Sequence, residues 1–187
     1  MSLIQSPTQL TLTEFLERPE TKPASEYIEG QIYQKPMPQG EHSILQGSLV
    51  TAINQVGQPQ KLAYAFPELR CTFGGRSLVP DISVFEWERI PRKANGRIAN
   101  NFEIPPDWVI EILSPDQSPN RVIDKIIFCL KQGKKLGWFI ESEDESVMVF
   151  QPDQLPDVKY ADENLPVLKV LGDWQLSVAD VFNWLQL

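Results

Sequence analysis

The sequence predicts an α/β sandwich: one mixed β-sheet with helices on the outside, folded as a single domain over residues 1–187. Three observations carry that expectation. Apolar residues recur every three or four positions in two long segments, His42 to Val56 and Ser118 to Gln132, which is the spacing of a helix with one core face. Short runs rich in β-branched and aromatic residues, bounded by proline or glycine, lie before, between and after them, as strands do. Finally, 42% hydrophobic and 22% charged residues in a chain of 187 suffice to bury one sizeable core without metals or disulfides.

Taken in order, Thr11-Leu-Thr-Glu14 after Pro7 is a capping box, and Leu10, Leu12, Phe15 and Leu16 cover one side of a short helix. Ser25-Glu-Tyr-Ile-Glu-Gly-Gln-Ile-Tyr33 reads as a tight hairpin in which Gly30 supplies a positive φ, ended by Pro36 and Pro38. The helix from His42 to Val56 carries Ile44, Leu45, Leu49, Ala52, Ile53 and Val56 on its apolar face. Lys61 to Phe66, Glu68 to Phe73 and Leu78 to Trp87 are three strands of the sheet, punctuated by Pro67 and Gly74-Gly75. Residues 88–106 are polar and contain three prolines, so they are expected at the sheet's rim, outside the core.

Trp108 to Leu113 re-enters as a central strand, apolar except for Glu111. Ser118 and Pro119 supply the N-cap and first position of the next helix, whose core face is Val122, Ile123, Ile126, Ile127 and Leu130 and which Gly133 ends. Leu136 to Glu141 and Ser146 to Gln151 are consecutive strands around an acidic turn. Leu165 to Leu171 adds another strand, and Ser177-Val-Ala-Asp180 caps a last short helix.

Charge and cysteine usage bound the function. There are 17 basic and 25 acidic side chains, a net charge of -8, which disfavours a general nucleic-acid coating protein. The excess is local: residues 1–140 balance at 15 against 15, while residues 141–187 hold 10 acids and 2 bases. The front portion is thus free to hold chemistry, with the acidic tail expected to stay away from phosphate. Arg89, Arg92, Lys93 and Arg97 form a cationic loop beside the Asp81 strand, either a solvated face or a surface that embraces a duplex. Cys71 and Cys129 are too few for a disulfide framework or a four-thiolate zinc site. His42, the sole histidine, excludes a histidine-rich zinc cluster and is assigned to the start of its helix. Met1-Ser2-Leu3-Ile4-Gln5 lacks a basic region followed by an apolar stretch, and no 18-residue apolar run occurs; a reducing cytoplasm and no membrane association are the expectation. The five tryptophans are dispersed and fit core or dimer packing better than base stacking.

The chemistry concentrates on two acids beside buried strands. Asp81 follows Pro80 at the entrance to Ile82-Ser-Val-Phe85, and Glu111 lies inside Val109-Ile-Glu-Ile-Leu113. Buried carboxylates need hydrogen bonds, cations or a metal, because desolvating an unpaired charge costs several kcal/mol. Two readings stay open: salt-bridged fold carboxylates, or a Mg²⁺ site completed by waters. Lys125, off the Val122/Ile126 stripe, is either solvated and paired with Asp124 or a cation folded back towards the acids.

Ser25-Glu-Tyr-Ile-Glu-Gly-Gln-Ile-Tyr33, His42, Glu68, Val79-Pro-Asp-Ile-Ser-Val84, Val109-Ile-Glu-Ile-Leu-Ser-Pro115, Asp124-Lys125 and Gly137-Trp138 together resemble the Uma2-type endonucleases common in cyanobacteria, of the PD-(D/E)xK nuclease superfamily. The resemblance covers most of the chain and implies a restriction-endonuclease-like three-layer fold with a central mixed β-sheet flanked by helices. It implies that Asp81 and Glu111 hold Mg²⁺, with Mn²⁺ as a substitute, and that Glu26 completes the acidic pocket. The superfamily's lysine two residues after the second acid is Leu113 here; the family's displaced lysine maps to Lys125. At Arg121 family members often carry an aspartate. Glu68 is expected beside the site or paired with Arg70, and no role is assigned to Arg121.

The function expected from the resemblance is metal-dependent DNA endonuclease activity, hydrolysis of phosphodiester bonds, by a homodimer. The alternative is a catalytically inactive nuclease-fold DNA-binding or assembly protein, motivated by Leu113, Arg121 and the acidic tail. A glycoside hydrolase is disfavoured, since the two acids flank a lysine and no aromatic sugar platform is evident.

Overall fold

The computed structural model describes residues 9–187, so Met1 to Gln5 and Pro7, invoked above, lie outside the described residues. The first helix, α1 (Leu12–Leu16), has the expected Thr11–Glu14 capping box. Only Phe15 of its expected apolar side is buried, and Leu16 is exposed, because one helical turn has a single position that can face the core. The hairpin is β1 (Ser25–Ile28) and β2 (Gln31–Gln34). Both turn residues adopt positive φ, Glu29 at 51° and Gly30 at 84°, the backbone of a tight turn matching strand twist.

Helix α2 (Gly40–Gly57) buries His42, Leu45, Leu49 and Ile53. The strands that follow are β3 (Ala63–Pro67), β4 (Cys71–Phe73), β5 (Arg76–Leu78) and β6 (Ile82–Glu86). β7 (Trp108–Ile112), α3 (Pro119–Lys131), β8 (Leu136–Glu141) and β9 (Ser146–Phe150) come next. β10 (Asp157–Tyr160) and α4 (Val178–Asn183), with its Ser177–Asp180 capping box, complete the chain.

The single sheet expected from the sequence is two. A six-stranded mixed sheet runs β10-β9-β8-β7-β6-β3, and a four-stranded antiparallel sheet runs β2-β1-β5-β4. The expected strand from Leu78 to Trp87 is split between them: β5 belongs to the small sheet, β6 to the large one, and the chain crosses at Val79-Pro80-Asp81. Pro80 has no N–H for a ladder, so pairing stops there. The expected strand from Leu165 to Leu171 is instead irregular chain ending in a turn of 3-10 helix at Lys169–Leu171, and the strand in that region is β10, hydrogen-bonded to β9. Pro152, Pro156 and Pro166 in this stretch obscured it.

In the large sheet only β7 and β8 are parallel, and α3 is their crossover, as a parallel pair requires. Strand alternation sorts the core into two layers. Ile82, Val84, Trp108, Ile110, Ile112, Trp138 and Ile140 face α2 and α4 in one cluster, whereas Phe85, Val109 and Phe139 face α3 and the small sheet in the other. The result is a mixed sheet flanked by helices, with Glu111 sharing the parity of Val109 and so projecting towards α3. Gly137 permits the close approach of that helix: a Cβ there would lie 2.3 Å from Ile126 Cγ2.

Residues 88–106 are not outside the core. Ile90 and Phe102 are 4% and 3% exposed, and the Phe102 ring lies 5.3 Å from that of Phe66 and 5.1 Å from that of Phe85. The apolar pair was masked by its polar neighbours. Truncating Phe102 to Ala is therefore expected to cost about 3–5 kcal/mol in urea denaturation, whereas a change within about 0.5 kcal/mol, the surface norm, would return the segment to the exterior.

Candidate active site

The crossing at Val79-Pro80-Asp81 leaves backbone groups without ladder partners, and polar side chains take them up. Val79 N–H donates to Glu26 Oε1 (2.8 Å), and Val79 O accepts from Lys35 Nζ (2.8 Å). Asp81 O accepts from Gln46 Nε2 (2.8 Å) and from Glu68 N (3.1 Å). β6–β7 pairing ends at Ile82 opposite Ile110, so Ile112 N–H donates instead to Asp81 Oδ2 at 2.7 Å. Asp81 is thus fixed by the end of β7, with Lys35 Nζ 2.7 Å from Oδ1 and His42 Nε2 3.2 Å from Oδ2.

Lys125 reaches the same region from α3. It is 2% exposed and stands three residues after Val122, one before Ile126 and four before Cys129, all buried; it belongs to the apolar stripe that the sequence reading placed it beside. Its Nζ donates to Glu26 Oε1 at 2.8 Å and to Glu111 Oε2 at 3.1 Å. Glu111 Oε1 lies 3.0 Å from the same ammonium, so three carboxylate oxygens surround it. Asp124, the partner expected for a solvated Lys125, pairs with Arg76 instead.

All four proposed site residues are buried: Glu26, Glu111 and Lys125 are joined by ion pairs, and Asp81 is linked to them through the backbone, by Val79 N–H on Glu26 and Ile112 N–H on Asp81. Glu26 lies on an inner strand of the small sheet, since β1 runs between β2 and β5. His42 is not a helix-cap residue but an Asp81 partner, and Glu68 pairs with Lys35 at 2.9 Å, while Arg70 binds Glu20. Arg121 is exposed, its guanidinium 4.3 Å from the centre of the Tyr33 ring. Lys35 was missed altogether. The available signal was strand parity: Lys35 N–H continues the hairpin by bonding Ala24 O, which puts Lys35 on the face of Glu26 and Tyr33.

Electrostatics differentiates the acids. Burial by itself raises the Asp81 carboxyl, but Lys35, His42 and Lys125 outweigh it and hold Asp81 well below the usual range. For Glu111 burial dominates the pull of Lys125, and with repulsion from Asp81 it pushes the carboxyl up to about 8. Burial lowers the Lys125 ammonium, yet Glu111, Glu26 and Asp81 more than compensate and keep it charged. Burial pushes the Cys71 thiol up to about 12 and raises Cys129 as well, so neither is a nucleophile.

A cleft of about 350 Å³, lined in part by Lys35, His42, Glu68 and Asp81, and another of about 180 Å³, lined in part by Glu26, Lys35, Arg121 and Lys125, reach the cluster. The cationic 89–97 segment contributes to neither; it leaves β6 at the end opposite Asp81, about 20 Å away at strand rise. Arg89 is engaged with Asp107 and Arg92 with Trp87. The acidic tail, in turn, does approach the site, since Glu141 and Glu143 line a further cleft with His42 and Ser114.

Among the described residues no three histidine, cysteine or carboxylate side chains are grouped as a ready metal shell. Two carboxylates nevertheless suffice for Mg²⁺, which keeps waters and takes substrate oxygens. Glu111 Oε1 is buried and makes no hydrogen bond, its close cation being the Lys125 ammonium at 3.0 Å, and Asp81 Oδ1 accepts one bond, from Lys35. These lone pairs fit a small hard cation.

A family model described as "Uma2: Putative restriction endonuclease" matches residues 12–179. The chain belongs to the Uma2 family. An Anabaena variabilis protein described as "a putative nuclease belonging to DUF820" has a solved structure that superposes with a TM-score of 0.92 at 55% identity, covering 94% of this chain and 99% of that one. Among curated proteins there is no match. Among the described residues of this Uma2 chain no helix is long and apolar enough to cross a membrane.

Two predictions follow from the charges. Glu111 holds its proton more tightly folded than unfolded, so its stabilising contribution is full below pH 4.5, falls as pH rises, and is gone above about 8. In denaturation series at pH 5, 6.5 and 8, the stability of wild type relative to Glu111→Gln should fall with pH; a constant difference would contradict the raised carboxyl. Lys125→Met strands Glu26 and Glu111 and should cost about 3–5 kcal/mol, part of which Glu26→Gln restores in the double variant; additive losses would show that the pair is not coupled.

Proposed function

We propose that the protein is a metal-dependent DNA endonuclease that hydrolyses phosphodiester bonds. The observation that carries this reading is the convergence of Asp81, Glu111 and Lys125, each no more than 2% exposed, in a family of nuclease description. Asp81 and Glu111 would hold Mg²⁺, or Mn²⁺ in its place, and Glu26 shapes the acidic pocket. When bound, the ion supplies Lewis acidity towards phosphate oxygen and a lower pKa for water.

The chain's own residues have separable tasks. Ile112 N–H and His42 aim the Asp81 carboxylate, as supporting groups aim metal ligands generally. Glu26 Oε1 is shared by Val79 N–H and Lys125, which ties the ammonium to the crossing that carries Asp81. In this reading the Lys125 ammonium would orient the attacking water or offset the charge that grows on phosphorus as water adds and the ester P–O bond breaks. A homodimer would set two such clefts along one duplex.

A second reading, a nuclease fold that binds DNA or assembles without turnover, is favoured by one observation: both Asp81 oxygens are already engaged by protein donors. Incubating the purified protein with linear, supercoiled and single-stranded DNA, with and without Mg²⁺ or Mn²⁺, separates the two. Metal-stimulated cleavage is expected, reduced at least about 100-fold by Asp81→Ala and by Lys125→Met. DNA binding without cleavage supports the second reading, and cleavage unaffected by Asp81→Ala rejects the assigned site.

A further inference from the structure

We infer that Lys35 is a tethered cation standing in a second cation position of the site, so that this nuclease takes one divalent ion and not two. The inference rests on the proposed metal site at Asp81 and Glu111, and it concerns the other side of Asp81.

The Lys35 ammonium is surrounded by three oxygens: Asp81 Oδ1 at 2.7 Å, Val79 O at 2.8 Å and Glu68 Oε1 at 2.9 Å. Two carboxylates and a backbone carbonyl are the hard-oxygen set that a divalent cation takes. In two-metal phosphodiesterases the ions lie about 3.5–4 Å apart and clamp the attacking and leaving oxygens, which requires a carboxylate near both. Asp81 stands in that relation here, with Lys35 on Oδ1 and Glu111, whose Oε1 makes no hydrogen bond and faces the Lys125 ammonium at 3.0 Å, on the other side.

The ammonium's donor count excludes the simplest alternative, a phosphate-binding lysine. Its three hydrogens meet three acceptors, so none is left for substrate. Lys125 differs in its partners, which are side-chain carboxylates of Glu26 and Glu111 with no backbone carbonyl among them. Lys35 is also only 8% exposed, its stem buried beside the β1–β2 hairpin. A covalently attached charge of +1 cannot exchange with solvent cations, and it keeps Asp81 ionised before any metal arrives. Lys35 is thus a positioning residue for Asp81 that closes one cation position while leaving the other open.

The test counts Mn²⁺ per chain by electron paramagnetic resonance, in wild type, Lys35→Ala and Lys35→Gln. The expected result is one ion in wild type and two in either variant, with a metal-induced rise in Tm larger in the variants. One ion in wild type and one in a folded variant overturns the inference and leaves the metal reading intact; two in wild type also overturns it. No ion in wild type but one in a variant supports the tethered cation and rejects the Asp81–Glu111 metal site. No ion in any folded protein overturns both. Should neither variant fold, the wild-type ¹⁵N ammonium resonance of Lys35 decides during a Mg²⁺ titration: its persistence at saturation supports the inference, and its loss, reporting expulsion of Lys35 by the ion, overturns it.

Discussion

The transfer of the chain between two sheets at Val79-Pro80-Asp81 is the constraint on which the site depends. A strand that leaves one ladder for another exposes N–H and C=O groups to a low-dielectric interior, where each unpaired group costs about 1–3 kcal/mol. Glu26, Lys35 and Gln46 satisfy those groups, and two of these side chains are the very ones that fix Lys125 and Asp81. Pro80 makes the crossing obligatory by ending the pairing, and the Asp81 side chain repairs the frayed end of β7 through Ile112. The residues that hold the two sheets together and the residues that form the charged cluster are therefore largely the same.

That economy has an energetic consequence. Lys35 and Lys125 face Asp81, Glu26 and Glu111 inside the protein, where burial raises the Glu111 carboxyl. Such a cluster is close to balanced only as a whole, since removing one partner strands another in an environment that cannot solvate it. Stability and site integrity are coupled for this reason, and perturbed carboxyls of opposite sense, Asp81 low and Glu111 high, are the arrangement in which neighbouring acids take different roles. The acidic excess of the tail lies nearer to this balance than its position in the chain suggests, through Glu141 and Glu143 at the His42 cleft.

Most elements were legible because their signals are local. The Thr11–Glu14 and Ser177–Asp180 capping boxes, the Glu29-Gly30 turn and the Ser118-Pro119 helix start all depend on residues within a few positions of one another. The errors share a different cause. Lys125 was placed off its helix's stripe because a lysine does not count as apolar, although its spacing from Val122 and Cys129 is that of the buried face. Phe102 was hidden by polar neighbours, and β10 by the prolines on either side of it. His42 was assigned to the start of its helix and Glu68 beside the site or to nearby Arg70, whereas their partners Asp81 and Lys35 are 39 and 33 residues away.

By itself the sequence determined the α/β class and the order of nearly every helix and strand, and its resemblance to the Uma2 family singled out Glu26, Asp81, Glu111 and Lys125. Only the tertiary structure decided that there are two sheets, that Lys35 and His42 hold Asp81 from either side, and that the cationic 89–97 segment leaves from the far end of β6. The division follows from range. Periodicity, caps and turns are written in neighbouring residues, whereas the partner of a buried charge is chosen by whichever strands and helices come to lie beside it, and pairing across 99 residues, as between Glu26 and Lys125, leaves no mark on local spacing.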